Sequence, residues 1–222
     1  MSEAPRLRLY NYWRSSASWR VRLGLHLKGL RFEYVPVHLV REGGEQHAEA
    51  YRARNPLAQV PTLEVVHADG RVETLTQSLA ILAYLDAAFP HTPRLLPADP
   101  MALGHAWQLA EVINAGIQPL QNLATQAYVR DTLHGDAAAF TQHFVAKGIA
   151  ALEALAAQTA GTYLVGDAVT VADCCLVPQL YACRRFKIAL DACPTLLAVE
   201  ARLATLDAVR AAHADAQPDA NT

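Results

Sequence analysis

The chain opens with an alternation of apolar and polar side chains: Leu7, Leu9 and Asn11 fall on one side, Arg8 and Tyr10 on the other, the pattern of a strand. Ser15-Ser16 then begins a helical stretch that stops at Lys28-Gly29, with polar capping groups at one end and a glycine at the other. Phe32 to Leu39 reads as a second strand, and Glu45 to Arg54 as a short polar helix closed by Asn55-Pro56. Thr62 to Val66 and Val72 to Leu75 flank Ala68-Asp69-Gly70-Arg71, a hairpin signal. A last helix from about Ser78 to Phe89 carries Leu79, Leu82, Ala83 and Leu85 on its apolar side.

The order βαβ–α–ββ–α is that of a thioredoxin-like domain. Pro90, Pro93, Pro97 and Pro100 then fall in a stretch that neither helix nor central strand tolerates, which predicts a linker over residues 90–100. Beyond it the alanine-rich chain shows only helical spacing, near 101–130, 137–160, 170–187 and 195–210. Pro119 is expected to bend the first of these and Gly161 to end the second. Thr170-Val171-Ala172-Asp173 resembles a capping box with Asp at its fourth position. The expected architecture is an α/β domain over 1–89 followed by an all-helical domain over 101–222.

Composition narrows the classes open to such a chain. With 222 residues and 52% apolar content, it is long enough for one large or two small domains and too apolar for disorder. No apolar run reaches the roughly 18 residues needed to cross a bilayer. Glu3 and Pro5 stand where a secretory signal would be basic and then apolar, so a cytoplasmic protein is expected. The net charge of −2 gives no reason to expect nucleic acid. Cys174, Cys175, Cys183 and Cys193 contain no C-x-x-C pair, which suits neither a metal site nor a disulfide framework. They read as reduced thiols in a core, so sulfur chemistry in the first half must come from a ligand.

One cluster could bind an anion. Arg6, Arg8, Arg14, Arg20, Arg22, Lys28 and Arg31 crowd the first 31 residues, where Glu3 is the sole acid. A solvated helix face accounts for about half of them. Arg14 differs, since it precedes the Ser15 cap, where a helix N-terminus adds free N–H donors and partial positive charge. Ser15, Ser16 and Ser18 share this turn; capping explains one well and two adequately. A serine hydroxyl here could also donate to a thiolate. A cysteinyl thiol with pKa about 8.5 is only about 3% ionised at neutral pH. A depression of two units, roughly 2.7 kcal/mol, makes about three-quarters of it thiolate. A hydroxyl, an arginine and a helix terminus can supply that together.

The stretch Tyr12-Trp13-Arg14-Ser15-Ser16-Ala17-Ser18-Trp19-Arg20-Val21-Arg22 resembles the signature of zeta-class glutathione transferases, a family that includes maleylacetoacetate isomerase. The likeness continues through Asn55-Pro56-Leu57-Ala58-Gln59-Val60-Pro61-Thr62-Leu63 and Gln77-Ser78-Leu79-Ala80-Ile81. It returns in Gly116-Ile117-Gln118-Pro119-Leu120-Gln121-Asn122-Leu123 and from Val169-Thr170-Val171-Ala172-Asp173 to Arg185-Phe186-Lys187. Several motifs in the right order, across both domains, make it far more specific than a single short match.

The resemblance implies a glutathione transferase fold, glutathione as cofactor and a homodimer. It makes Ser15 the residue that stabilises the glutathione thiolate, with Ser16 in support. It implies a cis bond before Pro61 that turns the Val60 backbone toward the cysteinyl unit, and a carboxylate held by Gln77 and Ser78. Gln46, Gln118 and Asn122 match further glutathione contacts. The implied reaction is cis–trans isomerisation of a conjugated dicarboxylate in aromatic catabolism, with Arg14 and Arg185 as cationic anchors. Two departures stand out. Ala17 replaces a family cysteine that helps orient substrate or glutathione, and Ala124 replaces a hydroxyl found in some relatives. Maleylpyruvate isomerases of the family carry two arginines where this chain has Leu123 and Ala124, which tilts the expectation toward maleylacetoacetate. Glutathione conjugation, α-halo acid dehalogenation and a non-catalytic scaffold are the alternatives; the retained serines and Gln77-Ser78 argue against the last.

Overall fold

The computed structural model describes residues 5–220; Glu3 lies outside them. The chain forms two compact units, one built from residues up to Arg94 together with the segment from Asp207 onward, the other from Leu95–Leu206.

In the first unit a four-stranded sheet has the order β2-β1-β3-β4, from β1 (Arg6–Asn11), β2 (Phe32–Pro36), β3 (Thr62–Val66) and β4 (Val72–Thr76). β1 runs parallel to β2 and antiparallel to β3, and β3 pairs antiparallel with β4. The alternation read in β1 sends Leu7 and Leu9 to one face. There they join Leu63 and Val65 of β3, Val21 and Leu25 of α1 (Ser16–Leu27), and Ile81 and Leu85 of α3 (Ser78–Ala88) in one core. A smaller cluster of Tyr12, Val37, Tyr51 and Val60 includes Tyr51 of the single-turn helix α2 (Glu49–Arg52).

Two local expectations differ from what forms. The second strand ends at Pro36, and Val37 N–H makes one last bond to the Asn11 carbonyl at 2.8 Å. The polar helix expected over 45–54 is interrupted at Ala48, whose extended backbone (φ −61°, ψ 141°) separates a tight turn at Glu45–His47 from α2.

The second unit contains α4 (Pro100–Asn114), α5 (Leu123–Asp131), α6 (Ala137–Ala156), α7 (Val171–Arg185) and α8 (Pro194–Leu203). Pro119 does more than bend a helix. It sits in a tight turn, Gln118–Gln121, that separates α4 from α5, and Asn122 caps α5 afresh. Helix α6 ends before Gly161, at Ala156. Asp173 performs the capping expected of it: its carboxylate accepts from Thr170 N–H at 2.7 Å and Leu164 N–H at 3.0 Å. Burial nevertheless raises its pKa to about 6.

The stretch near 195–210 forms two helices, α8 and α9 (Asp207–Ala212), and α9 packs on α1 of the first unit. The segment after Leu206 therefore leaves the helical unit to which the sequence pattern had assigned it. Of the basic cluster, Arg20, Arg22 and Lys28 are buried, and Lys28 Nζ pairs with Asp86 at 2.9 Å while donating to the Pro93 carbonyl.

Candidate active site

Ser15 sits where β1 hands over to α1. Its N–H donates to the Tyr12 carbonyl at 3.0 Å, and its Oγ caps the helix by accepting the Ser18 N–H at 3.2 Å. A hydroxyl has one hydrogen and two lone pairs, so capping occupies an acceptor position and leaves the O–H free to donate outward. No acidic residue lies in the first turn of α1 to oppose an incoming anion. Arg14 is half-buried with its guanidinium 5.3 Å from the centre of the Trp13 ring, adjoining the positive end of the helix. Ser16 is half-buried in the same turn, whereas Ser18 is buried with its Oγ lacking a hydrogen-bond partner among the described residues. Ser15, Ser16 and Arg14 thus share one turn; Ser18 faces the interior.

The N-terminus of α3 offers a second place in this unit where an anion could be held. Gln77, at φ +69°, precedes the helix without capping it, and among the described residues this leaves first-turn N–H groups open to a ligand. Ser78 Oγ accepts from Arg20 Nη1 at 3.1 Å, which again leaves a serine O–H able to donate. Arg20 is 1% exposed, so a cation stands behind the helix terminus in a poorly solvated place. Sequence reasoning counted Arg20 in the basic cluster without marking it as buried. The available signal was its place in Trp19-Arg20-Val21, between two large apolar residues.

Val60 is joined to Pro61 by a cis peptide, and no hydrogen bond among the described residues occupies its N–H or carbonyl. Both can pair with an extended peptide. Gln46 donates to the Leu39 carbonyl at 3.2 Å, while its Oε1 is buried and lacks a partner among the described residues. A free acceptor, a free donor–acceptor pair, an open helix terminus and a serine donor are the groups a small acidic peptide thiol needs.

In the helical unit, Asn122 Oδ1 accepts from Ala124 N–H at 3.0 Å and caps α5, which leaves its amide hydrogens for other partners. Gln118 is half-buried at the start of the preceding turn. Arg185 ends α7, exposed, with its guanidinium 5.3 Å from the centre of the Phe186 ring. Leu123 and Ala124 are both exposed.

All four cysteines are buried. Burial pushes the Cys174 thiol well above its ordinary value, raises that of Cys193 and lifts Cys183 to about 11. Thiols held protonated in this way are poor nucleophiles. Replacing each by alanine in turn is therefore expected to leave catalytic turnover within about tenfold, or about 1.4 kcal/mol. Loss of turnover in any such variant that stays folded would show that a protein thiol takes part.

Comparison with known proteins identifies the family. Residues 14–88 match the family "Glutathione S-transferase, N-terminal domain" and residues 120–213 the family "Glutathione S-transferase, C-terminal domain". Probable maleylacetoacetate isomerase 2 of Drosophila melanogaster is 43% identical over 211 residues, 95% of this chain and 89% of that protein. The crystal structure of maleylacetoacetate isomerase from Anaeromyxobacter dehalogenans 2CP-1 with bound GSH is 48% identical, with a TM-score of 0.89 and coverage of 98% of this chain and 99% of that one. The same protein with bound dicarboxyethyl glutathione and citrate in the active site matches at 47% identity and a TM-score of 0.89, covering 99% of this chain and 100% of that one. A holo maleylpyruvate isomerase, described as a bacterial zeta-class glutathione S-transferase, is 40% identical with a TM-score of 0.87, covering 96% and 99%. The motifs, the two-part fold and these likenesses agree: the chain belongs to the glutathione transferase family, in its zeta class.

Proposed function

We propose that the protein is a glutathione-dependent cis–trans isomerase that converts maleylacetoacetate to fumarylacetoacetate. The observation that carries this reading is Ser15: it caps α1 through a lone pair, which leaves its O–H free to donate in the turn it shares with Arg14. When bound, glutathione supplies a thiolate whose reversible addition makes the cis double bond single for long enough to rotate.

The chain's own residues bind, orient and hold charge. Ser15 Oγ donates to the sulfur and keeps it deprotonated, with Ser16 in the same turn as support. Arg14 favours the charged thiol, holds the near carboxylate of the substrate and opposes negative charge developing on its carbonyl system. Ser78 and the open terminus of α3, with Gln77 before it, hold the γ-glutamyl carboxylate. Val60 pairs through its backbone with the cysteinyl unit. Gln46, Gln118 and Asn122 are proposed as further glutathione contacts, and Arg185 as the anchor of the far carboxylate.

Maleylpyruvate is the second reading, supported by the likeness to a maleylpyruvate isomerase. Leu123 and Ala124, where that activity is expected to bring two arginines, favour maleylacetoacetate. α-Halo acids are a third class of substrate open to the same thiolate. Assays of the purified protein with each maleyl compound and glutathione, followed by absorbance, are expected to give a higher kcat/KM for maleylacetoacetate; the reverse order would assign the protein to maleylpyruvate. We also infer a homodimer and a cytoplasmic setting in aromatic amino-acid breakdown, supported by the family resemblance and by four buried thiols. Sedimentation of a clean 24 kDa monomer at micromolar protein would contradict the dimer.

A further inference from the structure

The turn that presents Arg14 and Ser15 has no regular secondary structure of its own, so its backbone groups need partners elsewhere. Arg22, fully buried, supplies two of them and also braces the Asn11 side chain. Its Nη2 donates to the Trp13 carbonyl at 2.7 Å, and its Nη1 donates to the Tyr12 carbonyl at 3.2 Å and to Asn11 Oδ1 at 2.9 Å. The Tyr12 carbonyl is the same group that accepts the Ser15 N–H.

A further partner comes from the segment after α9. Asp219 Oδ2 accepts the Trp13 N–H at 3.1 Å, and its Oδ1 accepts the Tyr34 hydroxyl. Asp219 is 7% exposed. Gln217 ties this tail back to α9 by donating to the Ala211 and His213 carbonyls at 2.9 and 2.8 Å. Both backbone polar groups of Trp13 are thereby clamped by side chains, one from α1 and one from the tail.

The charges agree with that geometry. Desolvation lowers Arg22 to about 10, and the charge of Asp219 opposes the shift. Burial, together with the bond to Asp219, raises Tyr34. A carboxylate at this point therefore compensates a buried cation as well as a backbone donor.

We infer that Asp219 is a positioning residue for the thiol site: by holding Trp13 it fixes the turn that aims Ser15 and Arg14. The inference rests on the reading of Ser15 as the glutathione-thiol donor.

Two measurements on the full-length protein test it. One is hydrogen exchange of the amides in residues 11–18 without ligand; the other is the thiolate absorbance of bound glutathione against pH. Asp219→Ala should speed exchange at Trp13 and Ser15 by about tenfold or more. It should also raise the bound thiol pKa and the KM for glutathione. Asp219→Asn should rescue most of both, because its amide oxygen can accept from Trp13 while its NH2 donates to the Tyr34 oxygen. Tyr34→Phe, which removes only the hydroxyl, should produce a weaker change in the same direction and serves if Asp219→Ala does not fold. Wild-type exchange and an unchanged thiol pKa in Asp219→Ala would overturn the inference, even if thermal stability fell. If the wild-type bound thiol titrates like free glutathione, the functional reading fails instead, and the exchange results still decide the role of Asp219.

Discussion

Ser15→Ala is expected to raise the pKa of bound glutathione, by less than two units because Arg14 and the helix terminus share the depression, and to lower kcat/KM at neutral pH by at most about 25-fold, the ratio of thiolate fractions at pKa 6.5 and 8.5. The sign follows from which protonation state the hydroxyl favours. Ser15 O–H can donate to a thiolate, so removing it disfavours the charged form and moves the titration upward. The rate deficit should therefore shrink as pH rises and largely vanish above the new pKa. Alanine also removes the helix cap, at a cost of about 1 kcal/mol in stability. Ser15→Asp separates the two roles: its carboxylate can still cap α1, but it offers no donor and adds negative charge beside the sulfur. Stability should then stay near wild type while the thiol pKa rises further. Ser16→Ala, which leaves the capping hydroxyl in place, should have the smaller effect. A bound thiol whose pKa is unchanged in Ser15→Ala would transfer activation to Arg14 and the helix terminus.

Arg20→Met should be the second large loss, and it should fall on glutathione binding. Arg20 is buried behind Ser78 and donates to its Oγ at 3.1 Å. A ligand carboxylate at the terminus of α3 would lose both a nearby cation and an oriented serine donor. A charge-assisted contact of about 1.5–3 kcal/mol corresponds to about 10- to 150-fold in kcat/KM for glutathione. The KM for the dicarboxylate, measured at saturating glutathione, should hardly change, and neither should the thiol pKa, because the effect is confined to the γ-glutamyl end. Arg20→Lys should recover part of the loss. A glutathione analogue lacking the γ-glutamyl α-carboxylate should bind the variant and the wild type alike. If that analogue loses as much affinity as glutathione itself, Arg20 serves only to hold the fold.

Local pattern carried the elements that local forces build. The alternation of Leu7, Arg8 and Leu9 marks β1 because one face of the sheet is apolar core, and Ser15 marks the start of α1 because a cap acts within one turn. Ser15 and Ser16 were legible for the same reason, with the family motif suggesting the role proposed for them. Features set by distant partners were not. The burial of Arg22 was not legible because its partners, apart from Asn11, are backbone carbonyls, one of them on Ala212. Asp219 lies 206 positions from the Trp13 N–H it accepts, and no spacing rule links them. The return of α9 to α1 escaped notice likewise, since an amphipathic helix does not encode which unit it will cover. At Pro119 the misjudgement was local: a proline just after Gln118 opens a new turn, and Asn122 then restarts a helix.

The central claim, that glutathione returns unchanged from each turnover, is tested most directly by limiting it. Purified protein is incubated with maleylacetoacetate and far less than one equivalent of glutathione, while trans product and total free thiol are measured together. An isomerase converts many equivalents of substrate per glutathione and leaves the thiol concentration constant. Loss of one thiol per substrate consumed, or no conversion at all, would contradict the account.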